Sequence, residues 1–420
     1  MNELAFAICG VLAVFVIFQI LCTSAFLSSL RLPNLRTEQH EWLPKAVVIL
    51  CLRGSDPFLA DCIRALLYQN YPQYNLHIII DSQQDPAWNI VKETIQQAGA
   101  THVQVSPLLT RPYTCSLKCS ALVQAILALD NSYEVVAFID ADVIAHPNWL
   151  RELVTPLVDE QIGVSTGNRW YMPYPQQWGS LVRYVYNSVS VVSMYIHKYS
   201  WGGSMAMKLS VLQQSQLLET WTQTISVDGP VYTALQKIGL KVKFVPTVMM
   251  LNREECNLTQ CLRFIKRQLL MPRLYHPKWK LFVVQIFAPA LTLLIAIELL
   301  LIALVNHNFT ASAWVGSGLI GYILIIVLLL TLLEQGVQRV VCGHDKPIKS
   351  FSFQVIAKTL LAILFTQLIF VPFATVLAML MPNVEWRGIT YQIKSAKNIR
   401  LIEYHSYQHS SQSLNTNTSL

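Results

Sequence analysis

The run from Leu4 to Leu27 contains no charged residue. A helix needs about 20 apolar residues to cross roughly 30 Å of hydrocarbon, so this run is long enough to span a bilayer. Three more apolar stretches come late: Leu281 to Val305, Ala313 to Leu333 and Thr359 to Met381. They bracket a more polar block. Only 13% of the 420 residues are charged and 53% are hydrophobic, against about 25% charged in an ordinary soluble protein. The pattern predicts an integral membrane protein with room for one soluble domain of roughly 200 to 250 residues.

The expected layout is an N-terminal transmembrane helix (1–30), a soluble block (40–280), a membrane region (281–381) and a polar basic tail (382–420). Acidic Glu3 before the first run, with Arg31 and Arg36 after it, does not fit a secretory leader. The positive-inside rule then keeps the block in the cytoplasm, as part of a multi-pass cell-membrane protein. Parity stays open. Lys278 and Lys280, and the loop with Arg339, Lys346 and Lys349, read as inside, so three late crossings would put the tail outside. Yet Arg387, Lys394, Lys397 and Arg400 favour the inside. Thr359 to Met381, with Pro372 in its middle, could be an interfacial helix or hairpin. Glu298 reads either as a functional intramembrane carboxylate or as one near a helix end facing polar groups.

The formal charge of +7 suits a protein that meets anionic lipid or phosphate. No dense Lys/Arg run with interleaved aromatics appears, so nucleic acid is not an expected partner. Nine cysteines are scattered without a CxxC pair, and they read as buried thiols.

Within the block, apolar strands alternate with helical patterns. Strands are expected at 46–51, 76–80, 102–105 and 135–139, and helices at 61–68, 86–98 and 116–129. This order implies an α/β fold with a mostly parallel sheet covered on both faces. Such sheets bind ligands at the carboxyl ends of their strands. Asp81 and Asp140 both fall there, and Asp140-Ala141-Asp142 offers two carboxylates suited to a hard divalent cation carrying phosphate. The bland alternative is an acidic turn after a strand.

Leu52-Arg-Gly-Ser-Asp-Pro57, Asp81-Ser-Gln-Gln-Asp-Pro86, the Asp140–Asp142 pair and Asp228 in Ser226-Val-Asp-Gly-Pro230 occur in one order and spacing. In this, residues 45–280 resemble a family 2 inverting glycosyltransferase of the GT-A fold, in its ceramide glucosyltransferase-like branch. The resemblance implies that a UDP-sugar is the donor and a membrane lipid the acceptor, with Mg²⁺ or Mn²⁺ on Asp142 and Asp140. It implies that Asp81 and Asp85 lie against the nucleoside, with Arg53 and Lys118 near the nucleotide. Gly202 and Gly203, in Trp201-Gly-Gly-Ser204, would lie under the donor sugar. Asp228 would be the base that takes the acceptor proton. Arg267 would bind diphosphate, although no register of Arg263-Phe-Ile-Lys-Arg-Gln268 reproduces the family's Gln/Arg-x-x-Arg-Trp element.

Structural alternatives stand beside these roles. Asp81 ends a strand, Asp85 could cap a helix, Lys118 could be a solvated helix charge, Gly202-Gly203 could be a hairpin turn, and Asp228 could cap a helix ahead of Gly229-Pro230. Tyr391, in Glu385-Trp-Arg-Gly-Ile-Thr-Tyr391, is similar to a tail motif of bacterial relatives, or it is an interfacial anchor. The expected function is therefore transfer of one hexose, glucose favoured, to a lipid hydroxyl in glycolipid synthesis. A processive polysaccharide synthase and a non-catalytic membrane scaffold are the alternatives.

Overall fold

A computed structural model describes residues 1–30, 42–172, 177–341 and 353–407. Arg31, Arg36, Lys346 and Lys349, which carry part of the orientation argument, lie outside the described residues, as does the chain beyond 407.

The polar block begins with β1 (Ala46–Leu52), α2 (Leu59–Leu67), β2 (Tyr74–Ile80), α3 (Pro86–Ala98), β3 (Val103–Pro107), α4 (Leu117–Leu127) and β4 (Val135–Ile139), after the N-terminal helix α1 (Asn2–Ser29). The expected elements are present, with ends moved by at most a few residues. Ala46-Val-Val-Ile-Leu50 is almost wholly buried because both sheet faces are covered. Its side chains alternate between faces. Val47 and Ile49 join Val136 and Phe138 in one core, while Ala46, Val48 and Leu50 join Val135 and Ala137 in the other.

The chain continues through α5 (Trp149–Val154), β5 (Ile162–Thr166), β6 (Arg169–Tyr171), α6 (Trp178–His197), β7 (Ser204–Lys208), α7 (Leu209–Gln214), α8 (Leu217–Trp221), α9 (Val231–Lys237), β8 (Lys241–Phe244), β9 (Met250–Asn252) and α10 (Leu258–Tyr275). Seven strands form one sheet in the order β3-β2-β1-β4-β7-β5-β8. β3, β2, β1 and β4 run parallel, and β7 runs antiparallel to β4 and β5. From β1 the chain moves outward to β2 and β3, then returns to the other side of β1 with β4. That reversal opens a crevice at the ends of β1 and β4.

Among the described residues four helices are long and apolar enough to cross a membrane: α1, α11 (Trp279–Val305), α12 (Phe309–Val341) and the unit Lys358–Leu380. The last unit contains α13 (Phe353–Phe365) and α14 (Val371–Leu380) joined by a π-helical turn at Thr366–Phe370. A buried carboxylate couples this bundle to the block. Glu334 of α12 accepts hydrogen bonds from Trp170 Nε1 (2.9 Å), Tyr184 Oη (2.8 Å) and, through its other oxygen, Gln338 (2.9 Å). Glu298 is exposed on the outside of α11, about two turns from its end.

The segment expected to be a polar tail forms an antiparallel sheet: β10 (Asn383–Trp386), β11 (Ile389–Ser395) and β12 (Asn398–Tyr404). Alternation puts Val384, Ile389, Tyr391, Ile393, Ile399 and Leu401 into the same hydrophobic core as β1 and β4. The sheet is thus part of the block. Tyr391 is not an interfacial anchor: it is buried, and its hydroxyl accepts the Leu117 N–H at 3.1 Å. The basic residues that suggested an interior tail belong to an element packed beside the crevice.

Candidate active site

The crevice holds about 1310 Å³ of empty space, counting its open mouth. Its wall includes Arg53, Asp81, Lys118, Asp140, Asp142, Gly202, Gly203, Asp228 and Arg267 from the sequence-derived set. Asp85 is the exception. It is 2% exposed, its carboxylate caps α3 by accepting the Ala87 N–H (2.9 Å), and it accepts the Gly54 N–H (2.9 and 3.1 Å). The capping alternative therefore describes Asp85. It orders the turn after β1, where Gly54 has φ +76° and an added Cβ would strike the Tyr407 ring at 2.6 Å.

Asp81, just past β2, is held by Arg53 and by Arg111 Nε (3.1 Å), and it accepts the Tyr404 hydroxyl proton at 2.9 Å. Arg53 also stacks near Tyr404 and Tyr407. Asp81 is thus the centre of a network of two arginines and a tyrosine.

Asp140 and Asp142 follow β4. Lys118 is ion-paired to Asp140. Burial works to raise the Asp140 pKa, but Lys118 and Arg169 outweigh it and hold the carboxyl below its ordinary value. Burial lowers the Lys118 pKa, while Asp140 pushes it back above the ordinary value. Asp142 meets Arg169 at 2.8 Å, yet burial and nearby Asp140 raise its pKa to about 6. Its Oδ1 is buried with no hydrogen-bond partner among the described residues. A buried carboxylate oxygen in want of a partner is the donor a hard cation takes. The described residues contain no group of three metal-binding side chains. Asp140 and Asp142 would hold such a cation through their carboxylate oxygens, and it would supply charge neutralisation to a phosphorylated ligand.

Gly203 sits beside them because β7 pairs antiparallel with β4, setting Ser204 opposite Ile139. An added Cβ at Gly203 would collide with the Trp201 ring and Asp140 Oδ2. Gly202 has ordinary space around it, and its N–H donates to Asp228 Oδ2 at 3.0 Å. The other Asp228 oxygen accepts the Ser226 hydroxyl proton at 2.5 Å, and Ser226 Oγ accepts the Gly229 N–H at 3.0 Å. Helix α9 starts at Val231 without a side-chain cap. Asp228 is thus not spent as a cap; it is fixed on the crevice wall.

Sequence reasoning missed Asp56, Arg111, Arg169, Trp386, Arg387 and Tyr404. Arg387 donates to both oxygens of Asp56 (2.9 and 3.0 Å) and to the Arg53 carbonyl, while Arg53 Nε donates to the Arg387 carbonyl at 2.9 Å. Trp386-Arg387-Gly388 was the one visible signal, an aromatic and a cation before a glycine that turns a hairpin.

The site is thus an α/β sheet with paired carboxylates past β4 and a framed acid, Asp228, lining the same crevice, in a chain with helices long and apolar enough to cross a membrane. The chain belongs to glycosyl transferase family 21, whose model matches residues 11–399. It is 35% identical over 72 residues to a ceramide glucosyltransferase of Pyricularia oryzae; the match spans 17% of this chain and 14% of that protein. Among solved structures, a mannosyltransferase from Pyrobaculum calidifontis in complex with GDP-Man and Mn²⁺ is similar at TM-score 0.49 and 15% identity, over 80% of this chain and 100% of that one. Glucosyl-3-phosphoglycerate synthase from Mycobacterium tuberculosis is similar at TM-score 0.36 and 17% identity, over 54% and 79%.

Proposed function

We propose that the protein is a membrane-bound inverting glycosyltransferase that moves one hexose from a UDP-sugar to a lipid hydroxyl. The observation that carries this reading is Asp228: a carboxylate framed by Gly202 and Ser226, on the same wall as Asp140 and Asp142. Asp228 takes the acceptor proton as the hydroxyl oxygen attacks the anomeric carbon, and the bond from that carbon to the diphosphate oxygen breaks on the opposite side. A Mg²⁺ or Mn²⁺ ion on Asp142 and Asp140, when bound, neutralises charge on the departing UDP. Asp81, Arg53 and Arg111 face the nucleoside, Lys118 and Arg267 the diphosphate, and Gly203 lets the donor sugar approach the backbone. The relative's name favours glucose as the sugar and a ceramide-like lipid as the acceptor. The scaffold alternative predicts decayed acidic positions, and Asp81, Asp140, Asp142 and Asp228 are all present on the wall.

The block faces the cytoplasm in this reading, supported by basic Lys278 and Lys280 at the start of α11. The packing of β10–β12 on the block supports an even number of crossings between Tyr275 and Asn383. Of the three late candidates, the α13–α14 unit with its π-helical turn and Pro372 is the one assigned to enter and leave on the same side.

Transfer of labelled hexose from a panel of UDP-sugars into lipid extract tests the function, with purified protein in detergent and Mn²⁺. Asp228→Asn should keep UDP binding and lose transfer by on the order of 10²- to 10⁴-fold. Equal turnover by the two proteins removes the base assignment, and label found only in polymer favours the processive alternative.

A further inference from the structure

Five cations line the crevice, and four are already matched. Arg53 pairs with Asp81, Lys118 with Asp140, Arg169 with Asp142 and Arg387 with Asp56. Arg267 differs. Among the described residues its guanidinium has no hydrogen-bond or ion-pair partner. Its guanidinium lies over the ring of Trp386, whose centroid is 4.9 Å from Cζ. Burial, with Arg169 nearby, brings the Arg267 pKa down to about 10. A half-buried cation among other cations, with all its N–H donors unspent, is a receptor for an anion.

Stacking explains how it stays there. A guanidinium that lies over an aromatic ring is attracted by the ring's face, while its N–H groups radiate from its own edge. The ring fixes the plane without consuming a donor. Trp386 is itself fixed. It pairs with Ile389 across the hairpin, and the two turn residues, Arg387 and Gly388, have φ of 49° and 73°. A two-residue turn with both φ positive matches strand twist, though arginine adopts it at a cost in strain. The Arg387 contacts to Asp56 and to the Arg53 backbone hold the turn in that form.

We propose that Trp386 is a positioning residue for the leaving group. From the C-terminal sheet, it holds the Arg267 guanidinium in the plane that presents its donors to the diphosphate of the nucleotide. The inference rests on the nucleotide-sugar reading above and adds to it a residue more than a hundred positions away from Arg267 in the chain. Binding of the diphosphate, and not of the base, is what the stacked pair controls.

The test is a double-mutant cycle on UDP affinity, measured by calorimetry with the full chain in detergent and Mn²⁺. Trp386→Leu keeps an apolar side chain and removes the aromatic face; Trp386→Phe keeps a face. Trp386→Leu should weaken UDP binding about tenfold, and Trp386→Phe about threefold or less. In an Arg267→Ala background, Trp386→Leu should change UDP affinity by less than about twofold. Free uridine, which lacks the diphosphate, should bind wild type and Trp386→Leu alike. Unchanged UDP affinity in Trp386→Leu, an equal loss in both backgrounds, or a parallel loss for uridine overturns the positioning role. Wild-type protein that binds no UDP overturns the nucleotide-sugar reading itself, and this proposal with it.

Discussion

The crevice has two walls of different origin. One is made from the turns after β1, β2 and β4, and it carries the carboxylates Asp81, Asp140 and Asp142. The other is made from α10 and the C-terminal sheet, and it carries Arg267, Trp386 and Arg387. The first is rooted in a parallel sheet buried on both faces, where neighbouring strands set the position of every turn. The second is a small antiparallel sheet with one face in the core and the other in solvent, attached after the membrane region. The difference is one of construction: the strand-end wall carries its acids beside cations, Arg53 at Asp81 and Lys118 at Asp140, while the returning wall adds Arg267, Trp386 and Arg387 from outside the large sheet.

Removing the returning wall is the harshest break of this comparison. Deletion of residues 383–420 strips Ile389 and Tyr391 from the core and leaves the Leu117 N–H without its partner. Replacing one fully buried large side chain already costs about 3 to 5 kcal/mol. The truncated protein should lose UDP binding and transfer altogether and melt earlier. Retained UDP affinity would reduce the sheet to a cover.

A smaller effect is expected on the acidic side. Asp142→Ala should abolish the Mn²⁺-dependent part of UDP binding, so that titrations with and without EDTA coincide. A surviving difference between them would place the cation elsewhere. The mildest expectation concerns Asp85, which belongs to the same wall by sequence but serves the backbone. Asp85→Ala should destabilise the fold by about 1 to 3 kcal/mol through the lost cap and the orphaned Gly54 N–H. UDP affinity measured well below the melting temperature should stay within about twofold. A larger loss would return Asp85 to the nucleotide site.

The contrast also governs what could be read from the chain alone. Val135–Ile139 is a solid apolar strand, and an acid at its end is conspicuous, so Asp140 and Asp142 were visible at once. The same holds for Asp81 past Tyr74–Ile80. Asp228 was visible only through resemblance, because it lies in a loop, and its partners Gly202 and Ser226 could not be inferred from spacing. Arg169 was missed because an arginine in a three-residue strand has no periodicity to mark it. β10–β12 were missed for a stronger reason. Their apolar positions alternate with Lys394, Lys397 and Arg400, so the composition resembles a solvated basic segment after a hydrophobic one. Only the tertiary fold shows that the alternate residues fill the core of a sheet begun more than three hundred residues earlier.

The mutual hydrogen bonds of Arg53 and Arg387 join residues 334 positions apart. At about 5 to 20 residues per second, a ribosome needs tens of seconds to travel between them. By the time the C-terminal sheet is made, the turns that bear Asp81, Asp140 and Asp142 and the four apolar helices among the described residues have all preceded it. The contact between the turn after β1 and the C-terminal hairpin thus forms last, after the stretches long and apolar enough to cross a bilayer, and a chain ending just before Asn383 would hold Asp81, Asp140, Asp142 and Asp228 without Trp386 or Arg387.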